Sequence, residues 1–293
     1  INKFIKEERM KLLKSAASLG GEILGINLSQ KLNQEQIKFL NQCWDERLVL
    51  VFKKQDLDDN KLINFSKNFG ELDPPGPNPY GIKFLPEFPE INVISNVKNK
   101  EGTPIGNLGD GEAVWHADMT YQEIPPKAGI LYALEVPENQ GNTHFANMTL
   151  AYDELPHKLK EKIDGKILIH DSAHNSAGML RKGYSEVDNP SDTPGARHPI
   201  IITDNNTKKK LLFLGRRPHA YIIGMEIKES ENLLDQIWEH ATQEKFTWTQ
   251  NWEKGDLLMW KNLNVLHKRD AFDPNTRRIM HRTQLKGEMK ISA

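Results

Sequence analysis

The residues best suited to chemistry begin with a histidine and an aspartate two apart, His116 and Asp118, in Trp115-His-Ala-Asp118. In an extended segment, residues two apart point the same way. This stretch can therefore offer one imidazole nitrogen and one carboxylate oxygen to a single ion. A second histidine would complete two imidazoles and a carboxylate on one face of an octahedral ion. That set suits Fe(II) and leaves positions for a chelating co-substrate and dioxygen. His267, in Asn264-Val-Leu-His-Lys-Arg269, follows a strand-like run and is placed to return beside the first pair. Taken singly, each has a plainer explanation. A His-x-Asp arises readily by chance in a chain with 10 histidines, and a histidine near a strand end is commonly structural.

Residues 276–285, Thr-Arg-Arg-Ile-Met-His-Arg-Thr-Gln-Leu, read as a further strand. Arg278, Met280 and Arg282 share one face, and Ile279, His281 and Thr283 share the other. Two guanidiniums on a buried face require anionic partners, because an unpaired buried charge is costly. Arginine grips a carboxylate with two parallel hydrogen bonds, so it is the natural reader of a small acid. The alternative is a solvated basic patch from Arg277 to Arg282, the one feature that favours a nucleic-acid module. Lys+Arg total 39 against Asp+Glu 40, a net charge of −1. That balance, without paired stacking aromatics, argues against nucleic acid or an anionic membrane as partner.

The elements that must position these residues follow from the apolar pattern. Residues 33–46 predict a helix, with Ile37, Leu40 and Trp44 on one face and Asn33 as its cap. Residues 48–52 read as a buried strand. A second helix is expected over about 58–69, with Leu62, Phe65 and Phe69 inward and Gly70 ending it. Residues 72–90 are Pro- and Gly-rich and read as a loop. Short strands are expected at 91–97, 128–134, 199–203, 211–214, 246–252 and 256–260, with a hairpin turn at Asp204-Asn205-Asn206. A helix is expected over about 229–241. The polar segment 171–197 is long enough to be a functional lid or disordered. Helices first and many short strands after them predict a mainly β chain with flanking helices, a sandwich or jelly roll forming one domain over 1–293.

The sequence has 293 residues, 38% hydrophobic and 27% charged, an ordinary globular balance. Its one cysteine, Cys43, excludes an internal disulfide or a multi-cysteine metal site and reads as a small core residue on the first helix. No apolar run approaches the roughly 20 residues that span a bilayer, and residues 1–14 lack the apolar core of a signal peptide. A cytoplasmic protein without a membrane partner is expected.

Together, these residues resemble the taurine dioxygenase (TauD/TfdA-like) family of Fe(II)- and 2-oxoglutarate-dependent oxygenases, from about Gly20 to Gly287. The opening 48–52 and Phe69-Gly-Glu-Leu72 are similar to the family's start. Trp115-His-Ala-Asp118 with Pro125-Pro126 is similar to its metal motif. Thr143 in Gln140-Gly-Asn-Thr143, and Asp256-Leu-Leu-Met-Trp-Lys-Asn262 before His267, also match. Arg278 and Arg282 lie eleven and fifteen residues beyond His267, as the family's last motif does.

The resemblance implies a double-stranded β-helix (jelly-roll) core. It implies His116, Asp118 and His267 as Fe(II) ligands, 2-oxoglutarate and O2 as co-substrates, and Thr143 and Arg278 on the far carboxylate of 2-oxoglutarate. Arg282 falls where taurine dioxygenase has an arginine near the cofactor and the substrate sulfonate. The implied reaction hydroxylates a small anion, such as a sulfonate, carboxylate, phosphonate or amino-acid derivative, and yields succinate and CO2. Desaturation, cyclisation or a non-catalytic metal- or anion-binding role are the alternatives. A dimer or tetramer is expected. The turn before Thr143, Glu112 and the stretch Gly215–Tyr221 depart from a taurine enzyme, so taurine itself is not the expected substrate. Glu112, Tyr121 and Phe145 are the candidate pocket contacts, with 171–197 as lid; His144 is expected to face away from the site.

Overall fold

The computed structural model describes residues 9–76, 78, 80–108 and 113–291. Two β-sheets face one another. The smaller has four antiparallel strands in the order Thr247–Gln250, Thr143–Asn147, Val265–Arg269 and Ala113–His116. The larger is built around Val49–Phe52, Leu257–Lys261, Ala128–Glu135, Ile279–Leu285 and Asn92–Ser95. Phe145 and Val265 from the small sheet meet Val51, Leu131, Leu258, Trp260 and Met280 from the large one. This is the expected jelly-roll core.

Strand Val49–Phe52 shows how the sequence builds the layers. All four side chains are buried. By the two-residue period, Val49 and Val51 enter the core between the sheets, while Leu50 and Phe52 enter the layer under the helices. Helices Gln34–Arg47 and Asp59–Ser66 cover that outer face. Asn33 caps the first as expected. Its Oδ1 accepts from Gln36 N at 2.8 Å, and Gln36 Oε1 accepts from Asn33 N at 2.9 Å. Cys43 is buried in the same layer. Beyond the small sheet, helices Met148–Asp153 and Ile227–Ala241 pack with the hairpin Ile201–Thr203 and Lys210–Leu212.

Several boundaries differ from expectation. The second helix stops at Ser66 and tightens into a 3-10 turn, Lys67–Phe69. The helix expected from 229 begins at Ile227, because Glu226 caps it through Glu229 N. Within 72–90, Leu72–Asp73 is extended and pairs with the end of Ile279–Leu285. The segment 171–197 is not one loop. It begins in strand Ile167–Asp171 and ends in Gly195–Pro199, and those two strands pair with each other. Ile167–Asp171 buries Leu168 and Ile169 but also His170 and Asp171, and Gly195–Pro199 buries only Ala196 and His198, so neither strand shows a clean apolar alternation. The strand expected over 199–203 breaks at Ile200, where the backbone bonds Lys166 on one side and Phe213 on the other and so changes sheets. Among the described residues, no helix is long and apolar enough to cross a membrane.

Candidate metal centre

The register of the small sheet assembles the three expected ligands. His267 pairs directly with His116 across neighbouring strands, and paired residues project to the same side. Their rings lie 4.2 Å apart. Asp118 Oδ1 lies 3.4 Å from His116 Nε2 and 3.6 Å from His267 Nε2. His116 Nδ1 donates to Val114 O at 2.7 Å, so the pattern assigns the proton to Nδ1 and a lone pair to Nε2, facing the aspartate. Burial, then the neighbouring His116, pushes His267 down to about 3, against the attraction of Asp118. Burial raises the Asp118 carboxyl, but Arg282, with His267 and His116, outweighs it and holds the group ionised. At neutral pH His267 is a neutral imidazole beside an ionised carboxylate, both ready to bind a divalent ion. The donor set fits Fe(II).

The arginine strand reads as predicted. Arg282 Nη1 reaches Asp118 Oδ2 at 3.4 Å, and Gln284 on the same face donates to Pro74 O. On the opposite face, His281 bonds Asp59 and Thr283 bonds Ser66 of the outer helix. Arg278 is only 2% exposed. Its Nε is buried without a hydrogen-bond partner, and among the described residues no carboxylate lies within ion-pair distance of it. Burial, then the like charge of Arg269, lowers it to about 9. Thr143 stands opposite Arg269 in the sheet register and accepts from Trp252 Nε1 at 2.9 Å. Gly141, at φ +61°, closes the turn; a Cβ there would lie 3.3 Å from Arg278 Nε. Thr143, Gly141, Arg269 and Arg278 thus lie near one another, with two buried cations side by side.

The other candidates separate. Tyr121 is half-buried, and the Arg181 guanidinium lies 4.3 Å from its ring centroid. Phe145, expected on the pocket wall, is 0% exposed and packs against Trp260 and the His267 ring. It backs the histidine and presents no face to a ligand, because its strand turns Phe145 into the core between the sheets. His144 faces away, bonded to Asp270 and Thr249. Glu112 lies outside the described residues.

Sequence reasoning missed the role of Asn262, which is 1% exposed and bonds the backbone of Asp118. The signal was a buried-strand motif ending in asparagine. A second group, Asp171, His174 and His219, also brings ligand-type atoms together. There, His174 bridges Asp171 Oδ2 at 2.8 Å and Glu186 Oε1 at 2.9 Å. Its ring stacks on His219 at 3.7 Å and 2°. Lone pairs of parallel stacked rings do not converge on one ion, and Arg216 lies 3.6 Å from Asp171. This cluster is a hydrogen-bonded strut.

Comparison with known proteins agrees with this geometry. The sequence model of the taurine catabolism dioxygenase TauD, TfdA family matches residues 11–284. The chain belongs to this family. It is 30% identical to the alpha-ketoglutarate-dependent 2,4-dichlorophenoxyacetate dioxygenase of Burkholderia sp. (strain RASC), over 91% of each chain. It is 27% identical to the alpha-ketoglutarate-dependent sulfate ester dioxygenase of Pseudomonas putida, over 94% of this chain and 89% of that protein. The solved structure of AAD-2 with Mn(II) and N-oxalylglycine superposes with a TM-score of 0.79 at 26% identity, covering 97% of this chain and 100% of that one. A taurine dioxygenase from Burkholderia xenovorans superposes at 0.77 and 27% identity, over 96% and 90%. The chain is therefore a 2-oxoglutarate-dependent non-haem iron dioxygenase that uses Fe(II), 2-oxoglutarate and O2.

Proposed function

We propose that this TauD/TfdA family member hydroxylates a C–H bond of a small organic anion, with His116, Asp118 and His267 as its iron ligands. The observation that carries the ligand assignment is the convergence of those three side chains, with ligand atoms all within 4.8 Å of one another. Arg278 and Thr143 take the far carboxylate of 2-oxoglutarate. A buried guanidinium with no carboxylate partner among the described residues supports that role, since the co-substrate supplies the missing charge. AAD-2 binds N-oxalylglycine, which differs from 2-oxoglutarate by an NH in place of a CH2. Once iron is bound, decarboxylation of 2-oxoglutarate by O2 to succinate and CO2 provides the oxidising equivalent for the substrate C–H.

The protein's own groups orient and enclose. Arg278 fixes the pose of the co-substrate. Arg282 holds the Asp118 carboxylate ionised and adds positive charge on the substrate side. Tyr121 lines the approach, beside the segment 172–189 that acts as a lid. Relatives that act on 2,4-dichlorophenoxyacetate and on sulfate esters support a carboxylate or sulfate as the substrate's anionic group; sulfonates, phosphonates and amino-acid derivatives belong to the same class. The enzyme works as one domain, in the cytoplasm, as a dimer or tetramer, which light scattering tests. Succinate release over a panel of such anions tests the activity. A product heavier by one oxygen is expected, and activity is lost in Asp118→Ala. Undiminished turnover in that variant contradicts the ligand assignment, and a product lighter by two hydrogens contradicts hydroxylation.

A further inference from the structure

Behind the turn that carries Asp118 lies a buried polar knot that the chemistry above does not use. His170, His198 and Thr120 are 3%, 2% and 6% exposed. His198 Nε2 lies 2.8 Å from Thr120 O and 3.0 Å from Gln122 O. Both partners are carbonyls, so Nε2 carries the proton and donates to both. His170 Nδ1 lies 2.9 Å from Thr120 Oγ1, and its Nε2 is buried without a partner. Placing the proton on Nδ1 leaves only a lone pair sealed at Nε2. The two imidazoles meet edge to face, 4.8 Å apart, and both lie about 5 Å from the Phe213 ring, at 5.2 and 5.3 Å.

The backbone they hold is strained. Met119, between Asp118 and Thr120, has φ +52°, the left-handed region that a side chain other than glycine's rarely adopts. Such a conformation persists only where its surroundings over-determine it. Here they do. Ala117 N donates to Gly215 O, and Ala196 N donates to Tyr121 O. Asn262 takes the Asp118 backbone, His198 takes the carbonyls of Thr120 and Gln122, and His170 takes the Thr120 hydroxyl. Gly215 also makes the approach possible, since a Cβ there would stand 2.2 Å from His170 Nδ1 and 2.8 Å from Thr120 Oγ1.

We propose that His170 and His198 are positioning residues for the metal centre: they lock the 117–122 turn in its strained form so that the Asp118 carboxylate faces His116 and His267. This inference rests on Asp118 being a metal ligand. Supporting groups of this kind change metal affinity about 10- to 100-fold when lost. Burial keeps both rings neutral, with their bonding pattern intact, near neutral pH.

The test is Mn(II) binding to the whole protein, read by the electron paramagnetic resonance of the free ion, without co-substrate or turnover. His198→Phe keeps a ring but removes the donor, and its Mn(II) Kd is expected to rise about 10- to 100-fold. His198→Gln returns an N–H near the Nε2 position and is expected to recover most of the affinity, which a merely space-filling role would not produce. Thr120→Val, which keeps the side-chain volume and removes the acceptor of His170, is expected to weaken binding severalfold and tests the His170 bond by itself if His198→Phe does not fold. Folded variants that bind Mn(II) as wild type does, alongside an Asp118→Ala protein that has lost binding, overturn the positioning role. Full binding by Asp118→Ala overturns instead the ligand reading on which it rests.

Discussion

Asn262 grips the backbone of Asp118 from both sides. Its Oδ1 accepts from Asp118 N at 2.7 Å, and its Nδ2 donates to Asp118 O at 2.9 Å. The same Nδ2 reaches Pro126 O at 2.9 Å, so one buried amide ties the metal-binding turn to the start of strand Ala128–Glu135. Asn262→Leu keeps the volume and leaves these backbone groups unpaired. Each unsatisfied buried group costs about 1–3 kcal/mol. Chemical denaturation is expected to show a loss of about 3 kcal/mol in total, with Mn(II) affinity falling as well. A loss under about 0.5 kcal/mol, ordinary for a surface position, contradicts this role.

Arg278 gives a prediction of opposite sign. In the ligand-free protein its buried charge has no carboxylate partner among the described residues, so it costs stability and is retained for binding. Arg278→Met is expected to raise the melting temperature of the ligand-free protein. It should also weaken 2-oxoglutarate binding about 10- to 100-fold, the equivalent of losing charged hydrogen bonds of about 1.5–3 kcal/mol. Calorimetric titration and thermal unfolding of both proteins check the pair of effects. A destabilised variant that binds 2-oxoglutarate normally contradicts this role.

Acid should destabilise the fold through His170 and His198. Burial is the leading cause in both and holds each below the ordinary histidine value of 6.5. As pH falls through 6.5, the unfolded chain takes up protons that the folded one refuses. Stability then falls by up to about 1.4 kcal/mol per pH unit for each histidine, until the lower folded value is reached. His170→Phe is expected to flatten this slope by about 1 kcal/mol per unit between pH 6.5 and 5.5. Urea unfolding at a series of pH values measures it, and an unchanged slope counts against a neutral, buried His170.

Much of the site was legible in the sequence because period-two alternation fixes side-chain direction. Arg278 with Arg282 declared a shared face; His116 and Asp118 also converge, although the strand ends at His116 and a turn carries Asp118. What was not legible depends on partners distant in the chain. Asn262 ends a motif visible in the sequence, but its role appears only once Asp118, 144 positions away, lies against it. His170 and His198 sit in short strands that bury polar side chains beside apolar ones, so no clean apolar alternation marked Ile167–Asp171 or Gly195–Pro199. Phe145 was misplaced for a similar reason: whether it met the core or a ligand depended on where Trp260 and His267, distant in the chain, would pack.

The central claim is that His116, Asp118 and His267 hold iron and that 2-oxoglutarate chelates it with its far carboxylate on Arg278. The most direct measurement adds Fe(II) and then 2-oxoglutarate to the metal-free protein without oxygen and records the visible spectrum. A new metal-to-ligand charge-transfer band is expected, absent in His267→Ala and weakened in Arg278→Ala. A protein that binds Fe(II) yet shows no band with 2-oxoglutarate, or an undiminished band in His267→Ala, contradicts the account.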